Sequence, residues 1–246
     1  MHGPARKRRL AHAKTAKPVS SCTTVCYLAR MNNSAPQQNH EYEEAFLTAV
    51  SQAGILHLER QQQIEDALFA VELENFFPDT QIPQVLANTS VEIVPQVLLP
   101  RLSQIVRVLS LLPLFKGARV LEIGCANGYT SALLQSLGAK VYALEPIGLL
   151  AQKARKSLDR TIYQSVIVKG GSTLLRWQEY APFDFIVAWR SLKELPFSLV
   201  EDVVEGGKIV APIDQNNSVN LFMWQLDPEI KVYRLEEFAC GPYVVS

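Results

Sequence analysis

This sequence of 246 residues is poor in cysteine and has no long apolar run. A membrane-spanning helix needs about 18 consecutive apolar residues, and the best candidate, "IVRVLSLLPLF", is interrupted by Arg107 and Pro113. No membrane association is therefore expected. The cysteines have neither the paired CxxC spacing of a metal site nor the density of a disulfide scaffold, so we predict no metal and a cytoplasmic location. They are Cys22, Cys26, Cys125 and Cys240.

Basic charge is also scarce after residue 40. Residues 1–40 contain seven Lys or Arg and no acid, whereas the remainder has 17 basic and 24 acidic residues, a net charge of −7. A nucleic-acid partner is not expected, because phosphate binding requires a basic surface. Residues 1–40 are predicted to form a disordered basic extension. It is interpreted as an organelle presequence, an interaction tail or, preferably, a stretch upstream of a natural start at Met31.

Residues 41–117 are predicted to form an N-terminal helical cap. The segments 41–55 and 58–77 place apolar residues three and four positions apart, with charges on the opposite face, which predicts two amphipathic helices. Residues 94–112 are predicted to be a turn that leads into a third helix.

Residues 118–246 are predicted to form an α/β core with a Rossmann-like, doubly wound sheet that is mostly parallel. Strand and helix patterns alternate with short connections, as is typical of a parallel sheet covered by helices on both faces. Two further strand-like runs, joined by the turn "DPEI", predict a C-terminal antiparallel hairpin. The predicted strands are 118–123, 140–145, 165–170, 183–189 and 207–213, and the predicted helices are 129–137, 147–158 and 198–204.

The stretch "VLEIGCANGYTSALLQ" contains the turn after the first core strand, where a doubly wound sheet binds its ligand. Gly124 and Gly128 let backbone N–H groups approach a ligand, and the helix beginning near Tyr129 presents the positive end of its dipole. The spacing E-x-G-x-x-x-G differs from the G-x-G-x-x-G of dinucleotide-binding folds. A nicotinamide-dependent dehydrogenase is therefore disfavoured.

Two acidic residues accompany this turn. Glu145 ends the second core strand, where a carboxylate can accept hydrogen bonds from both hydroxyls of a ribose. Glu122, within the first strand, is placed to face the ammonium of an amino-acid moiety. A nucleoside joined to an amino acid without phosphates is S-adenosylmethionine, which is the predicted cofactor. The alternative is that both acids only accept helix N–H groups and that the glycines only form turns.

Four segments of the core resemble the successive motifs of protein-L-isoaspartate O-methyltransferases: "RVLEIGCANGYTSALL", "VYALEPIGLLAQKARKSL", "YAPFDFIVAW" and "VVEGGKIVAPI". "VELENFFPD" is similar to that family's "VPRexFVP" segment. The resemblance extends from about Ile64 to the end. It implies a class I methyltransferase that uses S-adenosylmethionine to methyl-esterify damaged aspartyl residues in proteins. The cofactor-binding residues that it implies are Glu122, Gly124, Cys125, Ala126, Asn127, Gly128, Glu145 and Gly171.

Some positions depart from the family pattern. Leu98 stands where typical members carry a substrate-pocket serine, and "VLLPRL" looks like the "LLTPRV" of a divergent bacterial branch. Gly171 replaces the aspartate that receives the adenine amino group, and losing such a hydrogen bond weakens binding by roughly ten- to a hundredfold. Cys125 and Asn127 replace small residues of the usual turn.

The predicted chemistry needs no general base, because a carboxylate acceptor is already ionised. Alignment alone can then supply about 7–11 kcal/mol. The four histidines precede the core, which disfavours hydroxyl or amine acceptors that must lose a proton. Trp189 and Arg190 are candidates for an aromatic wall and a carboxylate clamp of the acceptor pocket, with packing and a solvated Arg as the alternatives. Asp184 is predicted to fix local backbone, and no catalytic residue is assigned.

Two hypotheses stay open at this point. The first is an S-adenosylmethionine-dependent methyltransferase that acts on a protein or peptide carboxylate, expected to be a monomer. The second is a non-catalytic relative that works through protein contacts. Leu98 and Gly171 favour the second hypothesis, whereas the glycine turn, Glu122 and Glu145 favour the first.

Overall fold

The computed structural model describes residues 36–55, 57–171, 176–216 and 218–241. Residues 1–35, which make up most of the predicted basic extension, lie outside the described residues, so its disorder and origin stay predictions. Helix α1, Pro36–Ala53, begins before the predicted helical segment at residue 41.

The N-terminal part of the described chain is mainly helical. Helix α2, Leu58–Ala70, is shorter than predicted, because the backbone becomes extended at Val71. Only a 3₁₀ turn follows it within the predicted helical segment. The predicted turn before the third helix is present at Pro95 and Gln96, where Gln96 has φ 67°, but the short antiparallel strands on either side of it were not predicted. The buried and exposed positions of these two strands alternate over only a few residues on each side of Pro95. A pattern this short does not distinguish a strand from a turn. These elements are α2 (Leu58–Ala70), the 3₁₀ turn (Leu73–Asn75), α3 (Ile82–Leu86), β1 (Val91–Val94), β2 (Val97–Leu99) and α4 (Leu102–Leu111).

The main sheet has seven strands in the order β5-β4-β3-β6-β7-β8-β9. Strands β3 to β7 run parallel, and β7, β8 and β9 pair antiparallel, which confirms the predicted doubly wound sheet with its C-terminal hairpin. The strands are β3 (Arg119–Ile123), β4 (Lys140–Glu145), β5 (Ile167–Gly170), β6 (Phe183–Ala188), β7 (Val203–Gln215), β8 (Ser218–Asp227) and β9 (Glu229–Glu237).

Three helices of the core follow strands of the parallel half. They are α5 (Tyr129–Ser136), α6 (Gly148–Asp159) and α7 (Phe197–Glu201). The predicted helix over 198–204 was wrong at its end, because Val203 and Val204 already belong to β7. Valine favours a strand once parallel pairing with β6 is available, and this pairing lies outside the local pattern.

Both faces of the parallel sheet are buried. Successive side chains of a strand point to opposite faces, so Val120 packs among the helices that include α5, whereas Leu121 and Ile123 pack in a second apolar cluster with Phe183. Ile123 at the end of β3 pairs with both Leu144 and Ala188. The carboxyl ends of β3, β4 and β6 thus meet at one edge, where the strand order reverses and doubly wound sheets bind ligands.

Candidate functional site

The turn between β3 and α5 has an unusual backbone. Gly124, Ala126 and Gly128 all have positive φ, at 83°, 48° and 90°. Glycine adopts such values without strain, and Ala126 is held there because its N–H donates to Oε2 of Glu145 at 2.8 Å. A larger residue at Gly128 would be strained at this φ and would also press on Leu158, since an added Cβ would lie 3.3 Å from its Cγ. The predicted glycine turn therefore exists and is fixed by the acid at the end of β4.

Glu145 is fully buried at the carboxyl end of β4. Besides the Ala126 N–H, it accepts the Ile147 N–H on Oε1 at 3.1 Å. Its backbone carbonyl accepts the Gly171 N–H at 3.1 Å, which places the predicted Gly171 beside this acid. Gly171 itself is exposed, with φ 70°, and residues 172–175 lie outside the described residues.

The environment of Arg190 differs most from what the sequence predicted. A single Arg in a loop is usually solvated, yet its side chain is only 2% exposed. Nη2 lies 3.4 Å from Oε1 of Glu145, and an added Cβ on Gly124 would lie 3.4 Å from Cγ of Arg190. The side chain therefore runs along Gly124 to the acid of the predicted cofactor site. The solvated alternative was wrong, because Glu145 compensates the burial of the guanidinium.

Glu122 lies on the helix-facing side of β3 and is fully buried. Its carboxylate accepts hydrogen bonds from Thr130 Oγ1 at 2.6 Å, from Trp189 Nε1 at 2.7 Å and from the Ser131 hydroxyl. Thr130 and Ser131 were missed by sequence reasoning, although two hydroxyls at the start of an apolar helix are a usable signal. The predicted contact of Glu122 with a cofactor ammonium stays a prediction.

Burial raises the pKa of Glu122 above its ordinary value of 4.5, against the hydrogen bonds from Ser131, Thr130 and Trp189, which lower it. The folded protein then holds a proton that the unfolded chain has lost, so stability falls as the pH rises above about 4.5. We expect Glu122→Gln to remove this fall. Relative to wild type, the variant should gain stability with pH by at most about 1.4 kcal/mol per pH unit.

Urea unfolding of both proteins from about pH 4 to pH 8 measures this difference. Glu59→Gln, at an exposed position of α2, is the matched control for the exchange of a glutamate for a glutamine. A constant difference between Glu122→Gln and wild type would contradict the raised pKa of Glu122.

Asn127 and Tyr129 attach the N-terminal part of the chain to the glycine turn. Asn127 Nδ2 donates to the Phe76 carbonyl at 3.0 Å, and Tyr129 packs edge-on against Phe76 and Phe77, with ring centroids 5.8 and 5.3 Å away. Cys125, between them and Gly124, is fully buried, and this burial raises the pKa of its thiol. The side chains of the predicted turn residues Cys125 and Asn127 are therefore buried in the core and support the turn.

The predicted acceptor side comprises the β1–β2 hairpin and the loop after β6. Leu98 is half-buried in β2, and Gly241 joins that hairpin to the loop after β6: its carbonyl accepts the Ser191 N–H at 3.1 Å, and an added Cβ would lie 2.6 Å from the Gln96 carbonyl oxygen. Trp189 is buried, and its Nε1 donates a hydrogen bond to Glu122, so its side chain packs inside the core. This agrees with the packing alternative for Trp189.

Asp184 lies within β6 and accepts the N–H of Arg119 in β3 at 2.7 Å, so it fixes the backbone of the neighbouring strand and not the local backbone that was predicted. In the described ranges no group of three or more His, Cys, Asp or Glu side chains could hold a metal ion. His40 and His57, the histidines that the structure describes, belong to the N-terminal helical region and are exposed. Nor does any helix of the described chain have the length and apolar character to cross a membrane.

A doubly wound sheet with a glycine turn after its first strand and a buried acid ending the second defines an α/β protein of the class I methyltransferase type. The family model for protein-L-isoaspartate(D-aspartate) O-methyltransferase matches residues 41–242. The chain therefore belongs to this family, whose members are S-adenosylmethionine-dependent protein carboxyl methyltransferases.

Individual relatives agree with this assignment. A protein-L-isoaspartate O-methyltransferase of Yersinia enterocolitica is 30% identical over 190 residues, covering 75% of this chain and 91% of the relative. One from Gloeobacter violaceus is 37% identical over 97 residues, or 39% of this chain, and the match spans 47% of that relative's own length.

Solved structures show the same fold. One protein-L-isoaspartate O-methyltransferase has a TM-score of 0.71 at 20% identity, with 82% of this chain and 66% of that chain covered. A second, from Plasmodium falciparum and crystallised with S-adenosyl-L-homocysteine, has a TM-score of 0.69 at 18% identity, covering 83% of this chain and 99% of that chain.

Proposed function

We propose that this protein transfers a methyl group from S-adenosylmethionine to the carboxylate of an isoaspartyl residue in a protein or peptide. The observation that carries this proposal is Glu145, buried at the end of β4 and fixed against the glycine turn by the Ala126 N–H. A carboxylate in this position can accept hydrogen bonds from ribose hydroxyls. Family membership supplies the reaction class.

The residues of the turn fit such a cofactor. Gly124 has no Cβ and presents a surface along which a ligand can lie, a surface that the Arg190 side chain covers in this structure. Glu145 would hold the ribose, and Gly171, bonded to the Glu145 carbonyl, would border the base. The proposed cofactor-binding set is Glu122, Gly124, Cys125, Ala126, Asn127, Gly128, Glu145 and Gly171, of which Cys125 and Asn127 act by supporting the turn. When bound, S-adenosylmethionine supplies an electrophilic methyl group.

The acceptor requires little from the protein beyond alignment. A carboxylate near neutral pH is ionised and attacks without a base, and correct positioning alone contributes about 7–11 kcal/mol. The described histidines, His40 and His57, are exposed in the N-terminal helical region, in keeping with a carboxylate acceptor. The hairpin bearing Leu98 and the loop after Trp189 are the proposed walls of the acceptor pocket, joined through Gly241.

The proposed setting is the cytoplasm, with a monomeric enzyme acting on proteins. The described cysteines, Cys125 and Cys240, are free thiols, as a reducing compartment requires. Cys240 is not poised to react, because burial raises its pKa to about 12.

The direct test uses two peptides that differ only in an isoaspartyl or an aspartyl residue. With S-adenosylmethionine, we expect the wild-type chain to add one methyl group to the isoaspartyl peptide, seen by mass spectrometry as an alkali-labile ester. The aspartyl peptide and the Glu145→Ala variant are the controls and should stay unmodified. Binding of S-adenosylhomocysteine without methylation of either peptide would favour the non-catalytic alternative instead.

A further inference from the structure

The Arg190 side chain lies between Gly124 and Glu145, two residues that the proposed cofactor would contact. Its aliphatic part covers Gly124, the residue whose missing side chain lets a ligand approach, with Cδ and Nε each 3.6 Å from an added Cβ. Its Nη2 approaches Glu145, the proposed ribose acceptor, at 3.4 Å. Arg190 thus touches both of the features on which the cofactor proposal rests.

Among the described residues, Glu145 is the one hydrogen-bond partner of the guanidinium. The Nη2 to Oε1 distance of 3.4 Å is long for a charge-assisted hydrogen bond, which normally measures about 2.7–2.9 Å. Nη1 is buried and has no hydrogen-bond partner among the described residues. A buried guanidinium with an unused donor and one long contact is poorly satisfied by hydrogen bonds, so the charge of Glu145 is what holds it in this position.

Arg190 and a bound ribose are alternatives at Glu145. Oε2 is already used by the Ala126 N–H, and Oε1 accepts from both Ile147 and Arg190. A carboxylate has about four lone-pair sites, so two ribose hydroxyls would exceed the sites that remain while Arg190 stays. The arginine must then leave Oε1 for the ribose to be fully bonded.

We propose that Arg190 is a gate on the cofactor site, whose side chain competes with the nucleoside part of the cofactor for Glu145 and for the surface of Gly124. This inference rests on the proposed function, because it assumes that the Glu145 turn binds an S-adenosyl compound. It assigns to Arg190 a role in setting cofactor affinity, distinct from the acceptor clamp predicted from the sequence.

Two ligands separate the parts of the cofactor that Arg190 can affect. S-adenosylhomocysteine carries the nucleoside and an amino-acid carboxylate, whereas 5′-methylthioadenosine carries the nucleoside without that carboxylate. Calorimetric titration of each ligand into the full chain gives Kd without any turnover. The variant Arg190→Met keeps an unbranched apolar side chain and removes the charge.

Competition for Glu145 predicts that Arg190→Met binds both ligands more tightly, by the same factor of roughly ten to a hundred, the value of one charge-assisted hydrogen bond. Arg190→Lys keeps a cation and should show a smaller increase in the same direction, and it serves as the test if the methionine variant does not fold. Lys156→Met, at an exposed position of α6 outside the proposed site, is the matched control and should bind like wild type.

Each other outcome overturns the gate. Weaker binding of S-adenosylhomocysteine by Arg190→Met, with 5′-methylthioadenosine unaffected, would show that Arg190 holds the cofactor carboxylate. If Arg190→Met and wild type bind both ligands with the same Kd, Arg190 does not compete for this site. The proposed function would still stand in that case, because the wild-type chain binds the ligands. If neither wild type nor either Arg190 variant binds either ligand, the gate and the proposed cofactor site both fail.

Discussion

Replacing Glu145 by alanine is expected to lower the free energy of unfolding by about 3–5 kcal/mol, the usual effect of removing one partner from a buried ion pair. Arg190, 2% exposed, would keep its charge in the interior without a carboxylate. The N–H groups of Ala126 and Ile147 would also lose their acceptor. Urea unfolding followed by circular dichroism measures the change.

A double variant separates the two sources of this loss. Glu145→Ala combined with Arg190→Met contains no unpaired buried charge, so it should be more stable than Glu145→Ala alone. Glu145→Gln still offers an oxygen to the Ala126 N–H and should fall between wild type and the alanine variant. A loss below about 1 kcal/mol for Glu145→Ala would show that the pair is not buried in solution.

Replacing Tyr129 by alanine is expected to lower the free energy of unfolding by about 3–5 kcal/mol, as for other buried aromatic residues. Tyr129 is fully buried at the start of α5, and its ring makes the edge-on contacts that hold Phe76 and Phe77 on the glycine turn. Removing the ring leaves a cavity between the N-terminal part of the chain and the core. Chemical unfolding provides the measurement.

Tyr129→Phe is the matched control. The Tyr129 hydroxyl is buried and finds no hydrogen-bond partner within the described part of the chain. Its removal therefore leaves the ring contacts unchanged and relieves an unsatisfied polar atom, so we expect stability equal to or above that of wild type. Equal losses for the two variants would assign the effect to the hydroxyl and contradict packing as the cause.

Much of the core could be predicted from the sequence, because its patterns are local and strong. The second core strand, Lys140–Glu145, has the predicted bounds, and α5 and α6 begin within one residue of the expected positions. The hairpin of β1 and β2 could not be predicted in this way, since each strand is only three or four residues long. Short apolar runs of that length fit a turn, a helix end or a strand equally well.

The site was predictable only in part for a different reason. The glycine turn and Glu145 follow from the position of strand ends, which the sequence pattern gives. The pairing of Arg190 with Glu145 joins residues 45 positions apart, and the bond from Trp189 to Glu122 joins residues 67 apart. These contacts depend on β6 lying beside β3, which is a property of the whole sheet.

The buried acids Glu122 and Glu145 each join a strand of the sheet to another element. Glu122 connects β3 to α5 through Thr130, and Glu145 connects β4 to the glycine turn through Ala126. In a descendant that lost methyl transfer, replacing either acid would still remove these links, so natural selection acts on both acids for two reasons at once. Leu98, half-buried in a short hairpin, has no such bonding role in its side chain. Substrate preference can therefore diverge during evolution while the cofactor half of the protein stays fixed.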